Sequence, residues 1–372
     1  MELMENLGEI SQLELSNMIR AHELWLSDNQ LGKQLSLYGV DIGGLKLKGD
    51  LSRATFNTCQ FDFTLFDECI LTKTEFINCK MNDSHFINSS SPEGLSFTKC
   101  TLIHSLFEFG LYVRAQLTSC FLHNTTMRST SLKESNVHDC NFEGSKWEKG
   151  TFYKTKFDKC CFNKSIFSDY RFTQAGFGMC QMRDIDFSGV VDVDSVSIRE
   201  SDLQGSILEN FDFSKRNNPK STVSENDFSK ATINGTRFSD QKMYNSKFDS
   251  AKMSKTKFSG CDLRRSSFVS AIGNEAEFHR TDLYQSNFTD AKLQQADFSI
   301  VEGSRTVFMR ADLTGASFKF GDLTNSAMHF AIIKGTQFAG CNLSGATFPT
   351  GDVCEPGSLG RCIPIDHSAR LA

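Results

Sequence analysis

The 372-residue chain has no apolar run of roughly 18 residues, which excludes a membrane-spanning helix. Its first residues lack a basic segment followed by a long apolar core, so no secretory signal is visible. The expected location is the cytoplasm, with export by a route that needs no such signal left open. Basic residues are not in excess: 40 Lys and Arg stand against 45 Asp and Glu, a net charge of −5. Direct nucleic-acid binding through phosphate neutralisation is therefore not expected. The 8 histidines are scattered. No phosphate-binding glycine loop, zinc-binding HExxH or Ser/His/Asp arrangement occurs in usable context. Neither an enzyme site nor a cofactor is expected.

Helical periodicity and strand alternation are also missing over most of the chain. Instead an apolar residue returns every five positions from Leu51 to Val353, as in Phe278, Leu283, Phe288, Leu293 and Phe298. One-residue slips between Phe86 and Phe97, and between Phe187 and Val193, divide the pattern into three runs. Among these centres only Asn218, Gly273 and Gly303 are not apolar. Of the 34 phenylalanines, 28 are centres, so the pattern is not chance. A step of five would smear the apolar residues around a helix and throw them to both faces of a strand. The chain must turn once per pentad, giving a solenoid.

The residue two before each centre is usually small, as at Ala54, Cys59, Thr64 and Cys69, and the one just before it is often Asp or Asn. Ala291-Lys292-Leu293, Ala296-Asp297-Phe298, Ala311-Asp312-Leu313 and Cys341-Asn342-Leu343 carry the pattern most clearly. It resembles the pentapeptide-repeat family. The resemblance implies an all-β solenoid, a right-handed quadrilateral β-helix with four pentads per coil. The cysteines agree: Cys59 and Cys79 are 20 apart, as are Cys100, Cys120, Cys140, Cys160 and Cys180. These seven are expected to form one buried, reduced column. Counted on in steps of 20 past the second slip, that column passes Ser201, Gln241, Cys261 and Cys341. About fifteen coils at roughly 4.8 Å each give a rod on the order of 70 Å long.

Three segments are expected: an N-terminal helical cap over 1–35, the pentapeptide β-helix over 36–353, and an irregular tail over 354–372. The apolar spacing between residues 8 and 27 reads as a helix, ended by Asn29 and Gly32, and the segment from His22 to Leu26 resembles the cap that precedes the repeats in this family. The first slip, beside Pro92 and Gly94, reads as a bulged corner. Lys215 to Lys220 reads as a degenerate repeat or a local outward bend. In the tail, Cys354 and Cys362 form either a disulfide or part of a metal site with His367; zinc needs about four ligands, so the metal reading is disfavoured.

Two sets of outward charges are the candidate partner-binding residues. Asp262, Asp282, Glu302 and Asp322 recur every 20 residues and should stack on one face. Arg237, Lys242, Lys247, Lys252 and Lys257 precede five consecutive centres and should encircle one coil. The expected function is a non-enzymatic protein-interaction scaffold, its partner another protein rather than a membrane, with a dimer left open. The resemblance implies secreted bacterial effectors or accessory proteins within that class. It also implies an alternative, a DNA-mimicking modulator of a type II topoisomerase, for which the acidic column is the candidate surface.

Overall fold

The structure is a computed structural model and describes residues 8–209, 211–214 and 223–365. The chain forms two compact units, Met1–Val196 and Ser197–Ala372. Both are parallel β-solenoids, and the apolar centres fill their interiors.

In the N-terminal unit, Leu37, Phe56, Phe76, Phe97, Leu117, Val137, Phe157 and Phe177 stack through parallel strand pairs. The step is 20 residues, except for a short first coil and one long coil across the first slip. The extra residue of that long coil lies at the Pro92–Gly94 corner, where Gly94 adopts φ +72°.

Each pentad turns because the residue two after its centre enters the left-handed region. Non-glycine residues there have φ of 50–62°. Asp or Asn just before the centre helps: the carboxylates of Asp282, Asp297, Asp312 and Asp322 each accept the backbone N–H two residues on. This is the Asx turn that short polar side chains favour. The small residue two before the centre points inward. Its hydroxyl or thiol donates to the carbonyl of a centre in the preceding coil, as from Thr125 to Leu102 at 2.9 Å and from Cys120 to Phe97 at 3.4 Å. Serine, threonine and cysteine are therefore interchangeable in this position.

The apolar centres stack face to face along each column. In the C-terminal unit the Phe248 and Phe268 rings are parallel at 4.7 Å, while Phe268 and Phe278 from opposite faces meet edge-on at 5.7 Å. Such geometry adds about 0.5–1.5 kcal/mol per pair beyond burial. The two glycine centres leave no hole. Met253 and Leu293 close over Gly273, and Leu323 closes over Gly303.

The helix α1 (Gln12–Ser27) starts later than the apolar spacing suggests. Ser11 and Glu14 form a reciprocal capping box that fixes the start, and Gly8–Glu9 is instead a strand paired with Val40–Asp41. α1 covers the first coil. Gln12 both donates to the Lys46 carbonyl and accepts from its N–H, each at 2.8 Å, so one side chain imitates a strand residue. His22 is fully buried and bridges Leu35 and Ser52.

The C-terminal unit corrects the 20-residue count. Asp202 pairs with Asp227 and Asp212 with Arg237, so the coil that spans Lys215–Lys220 holds 25 residues. Those six residues lie outside the described residues, and so does His367. Because of the extra pentad, Ser201 stacks on Asn226 and not on the Gln241 column. Gln241, Cys261 and Cys341 therefore belong to a different column from Ser201. From Val223 onward the step is 20. At the end, residues 353–364 fold back antiparallel on the last coil, with Cys354 and Cys362 disulfide-bonded. No group of three or more metal-ligating side chains occurs among the described residues.

Candidate functional site

Outward side chains of a solenoid meet only their neighbours in the coils before and after. What each charge can do therefore depends on its column. In the N-terminal unit two columns alternate in sign and neutralise themselves. Arg114 lies 3.5 Å from Glu93 and 3.4 Å from Glu134. Arg128 likewise bridges Glu108 and Glu148 at 3.3 and 3.0 Å.

The acidic column of the C-terminal unit runs Lys242, Asp262, Asp282, Glu302, Asp322, Asn342 through successive parallel bridges. The four predicted acids are indeed neighbours, but they are not equivalent. Arg264 binds Asp262 through two nitrogens at 2.8 and 2.6 Å and lies 3.4 Å from Asp282. The Arg264 guanidinium holds the Asp262 carboxyl below its ordinary range. Among the described residues, no cation pairs with Glu302 or Asp322. The uncompensated charge is thus confined to the last two acids.

Lys242, Lys247, Lys252 and Lys257 occupy the four faces of one coil, with Arg237 paired in register with Lys257. Lys257 is bound by Glu277 at 2.8 Å and Lys247 lies 3.8 Å from Asp227. Lys242 faces Asp262 across the ladder. Among the described residues Arg237 and Lys252 have no ion-pair partner. The belt is real as a ring of positions, but much of its charge is spent within the unit.

Beside the two free acids stand residues that periodicity did not single out. Ile300 and Phe320 are corner residues two before Glu302 and Asp322, one coil apart, and they are 43% and 69% exposed. Both have φ of 58°. The Phe320 ring extends over Gly340, whose missing side chain leaves the space: a Cβ there would lie 2.5 Å from the ring. An exposed apolar side chain and a left-handed conformation are each locally unfavourable, and for a β-branched isoleucine the conformation is an outlier. The sequence held the signal. Phe320 is one of six phenylalanines that are not centres, and five of those six (Phe63, Phe109, Phe121, Phe320 and Phe330) are exposed.

Comparison with known protein families recovers the five-residue repeat. The pentapeptide-repeat family model matches in 8 copies, over residues 113–146, 227–260, 251–290, 261–299 and 306–345. Pentapeptide repeats of this family thus occur in both units of the chain. Similar solved structures include a pentapeptide repeat protein from the Arabidopsis thaliana thylakoid lumen, 24% identical, covering 32% of this chain and 70% of that one with a TM-score of 0.25. HetL, a pentapeptide repeat protein involved in heterocyst differentiation regulation from the cyanobacterium Nostoc, is 14% identical over 88% of this chain and 97% of its own, with a TM-score of 0.14. QnrB1, a plasmid-mediated fluoroquinolone resistance protein, is 12% identical over 53% of this chain and 93% of its own, with a TM-score of 0.22. No curated protein matches.

Within this pentapeptide-repeat fold the cysteine column is interior packing. Cys59, Cys79, Cys100, Cys120, Cys140, Cys160 and Cys180 are all buried and none is in a disulfide. Their thiols donate to backbone carbonyls, as from Cys100 to Phe76 at 3.3 Å and Cys160 to Asp158 at 3.4 Å. Burial raises the Cys160 thiol above its ordinary range. Protonated, shielded thiols are inert packing groups.

Proposed function

We propose that the chain is a non-enzymatic protein-interaction scaffold, and that it docks its partner on the corner formed by Ile300, Phe320, Glu302 and Asp322. The observation that carries this reading is the coincidence of exposed apolar side chains with the two acids that have no cationic partner. A partner segment bearing both basic and apolar side chains is complementary to it. The aromatic anchor supplies buried area, and the acids select for charge and speed the encounter. A peptide array graded in charge and apolar content tests this. Lysine- and arginine-containing peptides with large apolar residues should be retained by the wild-type chain and lost by Phe320→Ser and by Glu302→Lys/Asp322→Lys. Equal retention by the variants would overturn the assignment.

Modulation of a type II topoisomerase by DNA mimicry has one observation in its favour, the stacking of four acids at the spacing of successive coils. It requires the whole column to present charge, whereas Arg264 occupies Asp262 and Asp282. A gyrase supercoiling assay, with and without a quinolone, separates the two readings. Inhibition or protection lost on reversing all four acids to lysine would establish mimicry.

A further inference from the structure

The hairpin at the end of the C-terminal unit covers only part of the last coil, and the two parts differ sharply. Under the hairpin, Cys341, Leu343 and Ala346 are fully buried. Beyond it, Ile333, Thr336, Phe338 and Phe348, inward positions of the same region, are partly exposed. The hairpin is therefore what shields Cys341. It does so by completing the edge of the solenoid: Leu343 N–H donates to the Ser358 carbonyl at 2.9 Å, Gly345 N–H to Cys354 at 2.9 Å, Cys354 N–H to Ala346 at 2.8 Å, and Gly360 N–H to the Cys341 carbonyl at 2.8 Å.

Cys354–Cys362 closes this hairpin. Its two sulfurs are placed unequally. Cys354 is fully buried against the coil. Cys362 is partly exposed and lines an open groove of about 400 Å³ with Ile333, Phe338, Phe348 and Arg361. A small thiol entering the groove reaches Cys362 rather than the buried Cys354, and Arg361 on the same groove lining favours the thiolate form of the incoming thiol.

We propose that Cys354–Cys362 is a thiol-exchange site for small thiols, and that its reduction releases the hairpin and unmasks the Cys341 thiol. In the first step a thiolate attacks Cys362 Sγ. The sulfur–sulfur bond to Cys354 breaks, a mixed disulfide forms at Cys362, and Cys354 leaves as a thiolate and takes up a proton. A second thiolate attacks the outer sulfur of the mixed disulfide, giving the oxidised small-molecule disulfide and the Cys362 thiol. Two electrons pass from two small thiols to the protein. Without the covalent closure, the hairpin rests on a few edge hydrogen bonds, which open far more readily than a packed core. Cys341, whose thiol is pushed up to about 12 by burial, then meets solvent.

The test is differential alkylation of the full chain. Native protein is treated with glutathione or left untreated, pulsed briefly with N-ethylmaleimide, and mapped by mass spectrometry. Cys341 should label at least about tenfold faster after treatment, because its protection depends on local opening. Cys261, buried in the middle of the same column, should stay protected in both samples and serves as the internal control. The double variant Cys354→Ser/Cys362→Ser should label at Cys341 without any reductant. Should that variant fail to fold, the wild-type comparison stands without it. Reduced and alkylated Cys354 and Cys362 alongside a Cys341 as protected as Cys261 would overturn the proposal. So would a disulfide that glutathione does not open in the native chain, or native protein in which both tail cysteines are free and Cys341 is still shielded.

Discussion

At the scale of single residues, one position in five must take a left-handed backbone conformation, and the chain fills it with lysine, aspartate, arginine and even isoleucine rather than only glycine. That choice was not legible in the sequence, because no residue type marks the position; only the five-residue step itself demands a turn there. Ile300 is the most strained occupant by type, since a branched Cβ crowds its own backbone. Ile300→Asn should raise the stability of the C-terminal unit by about 0.5–1 kcal/mol, read as a higher urea midpoint, because asparagine tolerates this conformation. The same variant should weaken partner binding, since it removes an exposed apolar side chain from the proposed docking corner. A second pair of residues shows how columns adapt. Tyr170 occupies an inward position that is small elsewhere, and Gly150 one coil earlier leaves room for it; a Cβ at Gly150 would lie 2.5 Å from the tyrosine ring and 2.0 Å from the Thr130 carbonyl. The phenol donates to that carbonyl at 2.8 Å. Gly150→Ala should cost about 1–3 kcal/mol by overpacking, and Tyr170→Ser should recover part of the loss, a coupling that a double-mutant cycle in thermal unfolding reads directly.

At the scale of elements, α1 ties itself to the first coil through side chains that stand in for backbone. His22 is the central one. Its Nδ1 accepts the Leu35 N–H at 2.9 Å, so the ring must be neutral and Nε2 donates to the Ser52 carbonyl at 2.9 Å. Burial pushes its pKa below the ordinary 6.5, against the opposing pull of the Ser52 carbonyl, Asp50 and Glu23. The folded state thus binds the proton less readily than the unfolded chain. The contribution of His22 is fully present above its unfolded pKa and is lost as pH falls through the lower folded value. Amide exchange at Leu35 and along α1 should quicken on acidification below that range, and His22→Leu should abolish the dependence. Unchanged protection in acid would show that the cap does not rest on this ring. The helix itself was legible from apolar spacing. Its start was not, because the capping box at Ser11 and Glu14 overrides weak apolar periodicity, and Gly8–Glu9 pairs as a strand instead.

At the scale of the whole molecule, the repeat architecture was legible because the interior admits almost only apolar residues at a fixed step. Counting in twenties failed at one place: a pentad that keeps the five-residue register can still lengthen the coil, as the 25-residue step from Asp202 to Asp227 shows. Asn218, a polar residue at a centre, marks the place, but nothing in the sequence tells a degenerate pentad within a 20-residue coil from an added one. The charged columns were legible as columns, but their use was not. Sequence spacing places Asp262, Asp282, Glu302 and Asp322 together, yet only the rotamer of Arg264 decides which remain available, and Asp282 and Asp322 also serve as turn-formers. The net charge of −5 says little about docking when charges such as Arg114 and Arg128 are already bridged by acids of their own columns. The docking corner is the central claim, and the most direct measurement is the affinity of one basic, apolar peptide for the wild-type chain, Phe320→Ala and Glu302→Gln/Asp322→Gln across a salt series. Binding should weaken in both variants by about tenfold or more, the size expected for loss of an anchor residue, and its salt dependence should flatten only in the charge variant. Affinity and salt dependence unchanged in both variants would contradict the account.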